Sequence, residues 1–379
     1  MNIGVVKETA RCESRVALTP AAVRRLVENS NRVFVQRGAG ERSHFPDSSY
    51  VAAGAEIAFS PAEVIDRCEL LVKVGNLTRD EMQQLHSDQA VMAWFHLIVA
   101  DRDEITLLLD KRIAAIGYEV IEAVDGRLPV LQAMSEVAGP MAVAVAGHLL
   151  RSTSGGRGIL LGGAPGVAPA RVLILGAGTV GSTAARTALN SGATTYVLDL
   201  DVHKLRRLLT VAPGAITEVS DAAIVEELVP PADVLIGAVL VHGGLTPHLV
   251  SRPLVERMQP GSVIVDLSID QGGCVESSRP TTLADPVFRH SDVLHYCVPN
   301  MTADIARTAS AVLSQASLPY ILALTGFGLE QALQRSPELA RGVFTLGGEC
   351  ANKALAERWS IPHREVSAMV GQQVRLAKP

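Results

Sequence analysis

The stretch Val172-Leu-Ile-Leu-Gly-Ala-Gly-Thr-Val-Gly181 leaves this chain few choices of fold. An apolar run ends in three glycines spaced GxGxxG and is followed by a helix-like Thr183-Ala-Ala-Arg-Thr-Ala-Leu-Asn190. A second apolar run, Tyr196-Val-Leu-Asp199, then ends in an acid 18 positions after the last glycine. Strand, tight turn, helix and strand in that order make a βαβ unit of a parallel sheet. Gly176 permits the turn, Gly178 lets backbone approach a pyrophosphate, and Gly181 lets the helix pack closely on the sheet. The phosphates then meet the N–H groups of a helix that begins around Thr179 and Val180. Asp199 can accept a hydrogen bond from a ribose 2′-hydroxyl and would repel a 2′-phosphate, so the expected cofactor is NAD rather than NADP. Lys204 and Arg206, just downstream, soften that preference.

A chain of 379 residues is long for one core, so two domains are expected. At 48% hydrophobic and 19% charged it can bury large cores. Its net charge of -5 is spread without a basic or acidic block, which gives no electrostatic footprint for nucleic acid or an anionic membrane. Cys12, Cys68, Cys274, Cys297 and Cys350 are scattered and lack metal-ligand spacing, so neither a disulfide framework nor a metal site is expected and a reducing cytoplasm fits. The N-terminus lacks the apolar core of a signal peptide, and no run reaches 18 uninterrupted apolar residues, so a soluble protein is expected.

Short apolar runs at residues 3–6, 33–36, 70–74, 91–98 and 113–118 alternate with amphipathic segments such as 20–27, which predicts an α/β domain ahead of the glycine motif. Residues 135–150 predict one long helix with Ser135 as N-cap and a kink at Pro140. Further strands are expected at 234–237, 262–266 and 293–296. After Met301 the pattern turns helical, at 306–324 and 328–334. The expected division is a catalytic domain over 1–133, a nucleotide domain over 134–304, and a helical segment over 305–379 that returns to complete the first domain.

Four polar residues sit in or at the end of apolar runs, where an unpaired charge is costly. Arg15 in Arg15-Val-Ala-Leu-Thr-Pro20 either offers a guanidinium to a carboxylate or is a surface residue before a helix. His96 in Val91-Met-Ala-Trp-Phe-His-Leu-Ile98 reads as an acid–base group late in a strand or as a satisfied core histidine. Lys73 in Leu70-Leu-Val-Lys-Val74 reads as a cleft cation or an edge-strand lysine. Asp270, in Asp266-Leu-Ser-Ile-Asp-Gln-Gly-Gly273, lies where open α/β sheets bind ligands, although Asp266 could be the functional acid and a turn-capping role is open.

From Lys7-Glu8 to about Leu339 the chain resembles the alanine dehydrogenase and pyridine nucleotide transhydrogenase family. The resemblance is carried by Arg15-Val-Ala-Leu-Thr-Pro20, Met134-Ser-Glu-Val-Ala-Gly139, Gly155-Gly-Arg-Gly-Ile-Leu-Leu-Gly-Gly163, Gly237-Ala-Val-Leu240, Asp270-Gln-Gly-Gly-Cys274, Ser278-Arg-Pro-Thr-Thr282 and His295-Tyr-Cys-Val298 with Asn300-Met301. It implies two Rossmann-like domains with a cleft between them and a homohexamer that interconverts L-alanine and pyruvate plus ammonia with NAD. By resemblance Arg15 binds the substrate carboxylate, His96 donates and accepts protons, and Asp270 is the catalytic aspartate. Ser135, Asp199, Val239, Leu240, Asn300 and Met301 correspondingly belong to the nucleotide pocket.

Two departures stand out. The family usually reads Lys-Val-Lys-Glu-Pro, its second lysine touching substrate, whereas this chain reads Lys73-Val-Gly75-Asn-Leu77; the expected substitute is Lys73, two residues away on a regular strand. Where the family has prolines after Asn300-Met301, this chain places Asp304. The resemblance therefore leaves open an amino or imino acid other than alanine, or a nucleotide-binding protein without catalysis.

Overall fold

The computed structural model describes residues 1–98, 100–241 and 245–373. The end of the expected C-terminal segment, 374–379, lies outside the described residues. In chain order the strands of the first half are β1 (Asn2–Val5), β2 (Arg32–Gln36), β3 (Glu56–Ala58), β4 (Leu70–Val72), β5 (Ala90–Ala93), β6 (Ala114–Gly117) and β7 (Arg171–Leu175). There follow β8 (Thr194–Asp199), β9 (Ile216–Val219), β10 (Val234–Gly237), β11 (Val263–Asp266), β12 (Val287–His290), β13 (Val293–Tyr296), β14 (Val343–Leu346) and β15 (Glu349–Cys350). The chain divides into two compact units, residues 1–134 with 303–379, and residues 135–302.

The first unit is built on a sheet of order β15-β14-β6-β5-β4-β1-β2-β3, parallel except at β14 and β15. Its strands are apolar on both faces, as parallel strands covered by helices must be. In β4, Leu70 and Val72 join one hydrophobic cluster and Leu71 the other. In β5, Ala90 and Met92 divide from Val91 and Ala93 in the same way. The order reverses between β1 and β4, so the loops that leave these two strands flank a topological switch point, where open sheets bind ligands. Those loops carry Arg15 and Gly75.

The second unit has the order β12-β13-β11-β10-β7-β8-β9, with only the β12–β13 pair antiparallel. Its switch point lies between β7 and β10, which places the glycine turn beside the segment Ala238 to Leu240. The helix Thr179–Asn190 packs on this sheet through Ala184, Ala185 and Ala188, each fully buried.

Four local expectations are corrected. The long helix runs Pro129–Leu149, so Ser135 lies inside it and is not its N-cap; Pro129 supplies the pre-set φ of a helix start, and the helix continues through Pro140. The strand expected over 91–98 stops at Ala93, and His96 follows in a loop. The one expected over 70–74 stops at Val72, so Lys73 and Gly75 do not share a strand face. The segment after 305 is not wholly helical, because β14 adds antiparallel to β6 and β15 antiparallel to β14.

Two helical stretches, Pro129–Leu149 and Met301–Phe327, are long and apolar enough to cross a membrane by length and composition alone. The second is tied into the first unit. Ser310 Oγ accepts from Val16 N at 2.9 Å, Ser314 Oγ accepts from Thr19 N at 3.1 Å, and both serines are fully buried.

Candidate active site

The glycine turn of the second unit is held by contacts that admit no side chain. At Gly176, with φ of 105°, a Cβ would stand 2.4 Å from the Ala238 carbonyl oxygen; at Gly181 it would stand 1.8 Å from that of Gly176. At Gly178 no atom among the described residues lies within 4 Å of a Cβ position, so space is open in front of the helix. Gly178 is the N-cap and offers no side-chain hydrogen bond to the first turn. An open cradle facing uncapped N–H groups suits a pyrophosphate. Asp199 closes the motif: Oδ2 accepts from Ala177 N at 2.7 Å and Oδ1 from Asp201 N at 2.8 Å. The remaining lone pairs of this carboxylate are the group that would meet ribose hydroxyls.

Across the switch point, Val239 N donates to Ser268 Oγ at 3.0 Å, and half-exposed Leu240 lies beside it. The Gln271 side chain clamps Val241, accepting from its N–H at 3.0 Å and donating to its carbonyl at 2.7 Å. Lys204 is partly buried on the helix Val202–Val211, Asn300 is exposed and Met301 is buried.

The two aspartates after β11 separate into different kinds of residue. Asp266 is 1% exposed and accepts from Ser268, Cys274 and Val275 N–H groups at 3.1, 3.1 and 3.2 Å. Burial pushes its carboxyl above the ordinary range, with those hydrogen bonds opposing. It organises the turn. Asp270 is exposed on the short 3-10 helix Leu267–Gln271, which ends at Gly272 and Gly273 with φ of 96° and 85°.

In the first unit, five charged groups are buried around the switch point. Arg15 is 8% exposed, and its Nε and Nη2 donate to the two oxygens of Glu13 at 2.8 and 2.5 Å. Such a bidentate pair fixes the plane of the guanidinium. Lys73 is 1% exposed, donates to both oxygens of Glu81 at 2.8 and 3.0 Å, and lies 3.5 Å from Glu8 Oε2. It is therefore neither a cleft cation nor an edge lysine. It neutralises Glu81, which also closes the capping box of the helix Arg79–Gln84, so the structure does not bear out the expectation that Lys73 reaches toward substrate.

Glu8 Oε1 accepts from Val74 N at 2.7 Å. Three carboxylates face two cations in this cluster. Burial is the main force pushing the Glu8 carboxyl upward, opposed by Lys73 and the Val74 amide and reinforced by Glu13 and Glu81. A Cβ at Gly75 would lie 3.7 Å from Glu8 Oε2.

His96 is exposed and adopts φ of 52°, a conformation uncommon for a residue with a side chain. Its N–H and that of Phe95 donate to Glu119 Oε1 at 2.7 and 3.1 Å. Its ring stacks near Trp94 with centroids 6.3 Å apart. The sequence reading singled out neither Glu8, Glu13 and Glu81 nor Glu119, Ser268 and Gln271. Glu8, Glu119 and Ser268 sit just beyond the end of an apolar run, whereas Glu13 and Glu81 carry no such signal.

Residues 4–138 match the family described as "Alanine dehydrogenase/PNT, N-terminal domain", and residues 142–353 match its C-terminal domain. The chain belongs to the alanine dehydrogenase/PNT family. It is 43% identical over 371 residues to a protein named alanine dehydrogenase from Mycobacterium tuberculosis, covering 98% of this chain and 100% of that protein. It is 42% identical over 372 residues to one of the same name from Halomonas elongata, with the same coverage. A solved L-alanine dehydrogenase superposes with a TM-score of 0.91 at 40% identity, over 95% of this chain and 99% of that one. A transhydrogenase from Sinorhizobium meliloti, 24% identical, shares the fold with a TM-score of 0.79 over 93% of this chain and 100% of its own. Both sheets, the parallel-rich α/β class and the oxidoreductase assignment of the family member stand on these likenesses.

Proposed function

We propose that this chain is an NAD-dependent alanine dehydrogenase that interconverts L-alanine with pyruvate and ammonia. Full-length similarity to proteins of that name supports the reading. The observation that carries it is the presence, in one chain, of an uncapped glycine cradle and of an imidazole held outward on a left-handed turn. NAD, when bound, supplies the hydride acceptor. In this proposal Gly176, Gly178, Thr179, Val180 and Gly181 hold the pyrophosphate and Asp199 the ribose. Ser135, Lys204, Val239, Leu240, Asn300 and Met301 line the remainder of the nucleotide pocket. Arg15, its guanidinium already oriented by Glu13, grips the substrate carboxylate. His96 takes a proton from the water that adds to the imine carbon and gives one to the nitrogen that leaves as ammonia, the reverse direction retracing these transfers, and Asp270 is the second acid–base group. A cytoplasmic homohexamer completes the proposal, on resemblance alone.

The test is reduction of NAD by purified protein with L-alanine, followed by NADH absorbance, beside the reverse reaction with pyruvate and ammonia. Absence of turnover with alanine and with every member of a broad L-amino-acid panel would remove the proposal.

A second reading, a substrate with a cationic side chain, is favoured by one observation. Gly75 leaves room 3.7 Å from Glu8 Oε2, one of three clustered carboxylates that, among the described residues, are ion-paired by Arg15 and Lys73. Basic amino acids outranking alanine in kcat/KM would establish it. Alanine outranking them would dismiss it.

A further inference from the structure

We propose that Ser310 and Ser43 are positioning residues of Arg15: their buried hydroxyls close a ring of hydrogen bonds around that residue and hold its guanidinium ready for a carboxylate. The inference rests on the reading of Arg15 as the substrate anchor and adds the groups that keep it in place. Arg15 belongs to residues 6–19, which join β1 to the helix Pro20–Glu28 without helix or strand of their own. Backbone groups in such a stretch have no ladder to pair with, so side chains from elsewhere in the fold satisfy them where water is shut out.

Ser43 ends the short 3-10 turn Glu41–Ser43, Ser310 lies on the helix Ala306–Phe327, and both are 0% exposed. Ser43 Oγ donates to Ser14 O at 2.7 Å, Val16 N donates to Ser310 Oγ at 2.9 Å, and the two hydroxyl oxygens are 3.0 Å apart. A hydroxyl carries one proton. That of Ser43 is spent on the Ser14 carbonyl, so it is Ser310 that donates between the pair. The path then runs one way: Val16 N–H to Ser310, Ser310 to Ser43, Ser43 to Ser14 O. It leaves the chain one residue after Arg15 and rejoins it one residue before.

Inside this ring, Glu13 Oε1 accepts from both Arg15 N and Arg15 Nε, at 3.0 and 2.8 Å, which ties the head group to its own backbone. The ring is also braced from outside. Arg307, three residues before Ser310 on the same helix, donates to His44 O, and its guanidinium lies over the Phe45 ring. Neighbouring serines show what a purely helical role looks like. Ser317 bonds back to Leu313 O at 2.8 Å, the common use of a serine inside a helix. Ser314 accepts from Thr19 N at 3.1 Å and so reaches the same loop, four residues past Arg15.

The test pairs kinetics with a reading of the guanidinium itself. A carboxylate is gripped in the ground and transition states alike, so Ser310→Ala should raise KM for pyruvate at least about tenfold while kcat and KM for NADH change little. Ser43→Ala breaks the ring from another element and should do the same, which keeps the test open should Ser310→Ala not fold. Ser310→Thr retains the hydroxyl and should stay near the parent, as should Ser314→Ala. In protein free of nucleotide and substrate, phenylglyoxal modification is followed by peptide mass spectrometry, with exposed Arg24 as reference. Ser310→Ala should be modified about two- to tenfold faster at Arg15 and no faster at Arg24. A pyruvate KM unmoved in both Ser310→Ala and Ser43→Ala, or moved equally in Ser314→Ala, would overturn the proposal. If the parent oxidises no amino acid, the substrate assignment falls and the labelling alone decides the ring: a faster Arg15 rate in Ser310→Ala than in Ser314→Ala upholds it, and equal rates overturn it.

Discussion

Lysine placed at position 75 should repair carboxylate capture, and the size of the repair can be worked from the site. Gly75 does not occupy the positive-φ region, so a side chain enters without backbone strain. Among the described residues, chain neighbours aside, the atom that its Cβ meets within 4 Å is Glu8 Oε2 at 3.7 Å. A cation there would balance the third carboxylate of the buried cluster and stand ready for an incoming carboxylate. A unit charge about 4 Å from an opposite one is worth about 4 kcal/mol at an effective dielectric of about 20. Desolvation and side-chain ordering absorb most of this at a half-exposed position, and exposed pairs retain no more than about 1 kcal/mol. Position 75 is partly buried, so the expected remainder lies somewhat above that exposed limit, at about 1.4 kcal/mol, which is about tenfold in an equilibrium constant. Steady-state kinetics of Gly75→Lys should therefore show KM for pyruvate lowered about tenfold, with kcat little changed. Gly75→Met, of similar length and no charge, should show no gain. Equal behaviour of the Lys and Met variants, or a pyruvate KM unchanged by lysine, would refute the reasoning.

Three further perturbations follow from the same geometry. Gly181→Ala drives a methyl group to 1.8 Å from the Gly176 carbonyl, so thermal melting should report a loss of about 1–3 kcal/mol and NAD titration a weakening of at least about tenfold. Lys73→Met strands Glu81 and Glu8 without their shared cation, at a cost of about 3–5 kcal/mol. The folded Glu8 carboxyl is already raised above its unfolded value, so stability is retained below the ordinary carboxylate range and declines as pH climbs through the raised value. Removing Lys73 steepens that decline, and melting temperatures of variant and parent should diverge more at pH 8 than at pH 5. Asp199→Ala leaves the Ala177 and Asp201 amides without their acceptor; NAD affinity should fall about tenfold in a binding titration, and the margin against NADP should shrink.

The parts of this molecule that were legible in its sequence are those governed by local rules. The glycine motif specified its own turn, helix and acid, because its spacing answers local geometry at Gly181, which meets the Gly176 carbonyl, although Gly176 itself answers the distant Ala238 carbonyl. The strands β1, β2, β10 and β13 stand within a residue of their expected places, since short apolar runs between turn residues have few other uses. The short strands β3, β9 and β12 carried too little apolar pattern to be noticed, and β14 was hidden by the helices around it. The pair Gly347-Gly348 after Val343-Phe-Thr-Leu346 was a hairpin signal, the kind a two-residue reversal requires. In the candidate site, Arg15, His96 and Asp270 could be named because charge in or beside an apolar run draws notice. Their partners could not, since Glu13, Glu81 and Glu119 acquire meaning only through distance in space. Lys73 shows the cost of that blindness: its spacing from Gly75 suggested a reach toward substrate, whereas its buried partners lie on a helix eight residues on and on the loop after β1.

The antiparallel strand β14 has a consequence for how this protein is made. Its partner, β6, ends at Gly117, and the stretch that closes that flank begins at Val343, 226 positions later. At a synthesis rate of about 5–20 residues per second, a nascent chain carries an open, fully apolar flank for roughly 10–45 seconds while the entire nucleotide unit emerges behind it. The first half must wait for the last strand, during which an unpaired ladder is available to any neighbouring chain on the polysome. Aggregation during rapid expression, relieved by slower translation, is the signature this topology leaves in the cell.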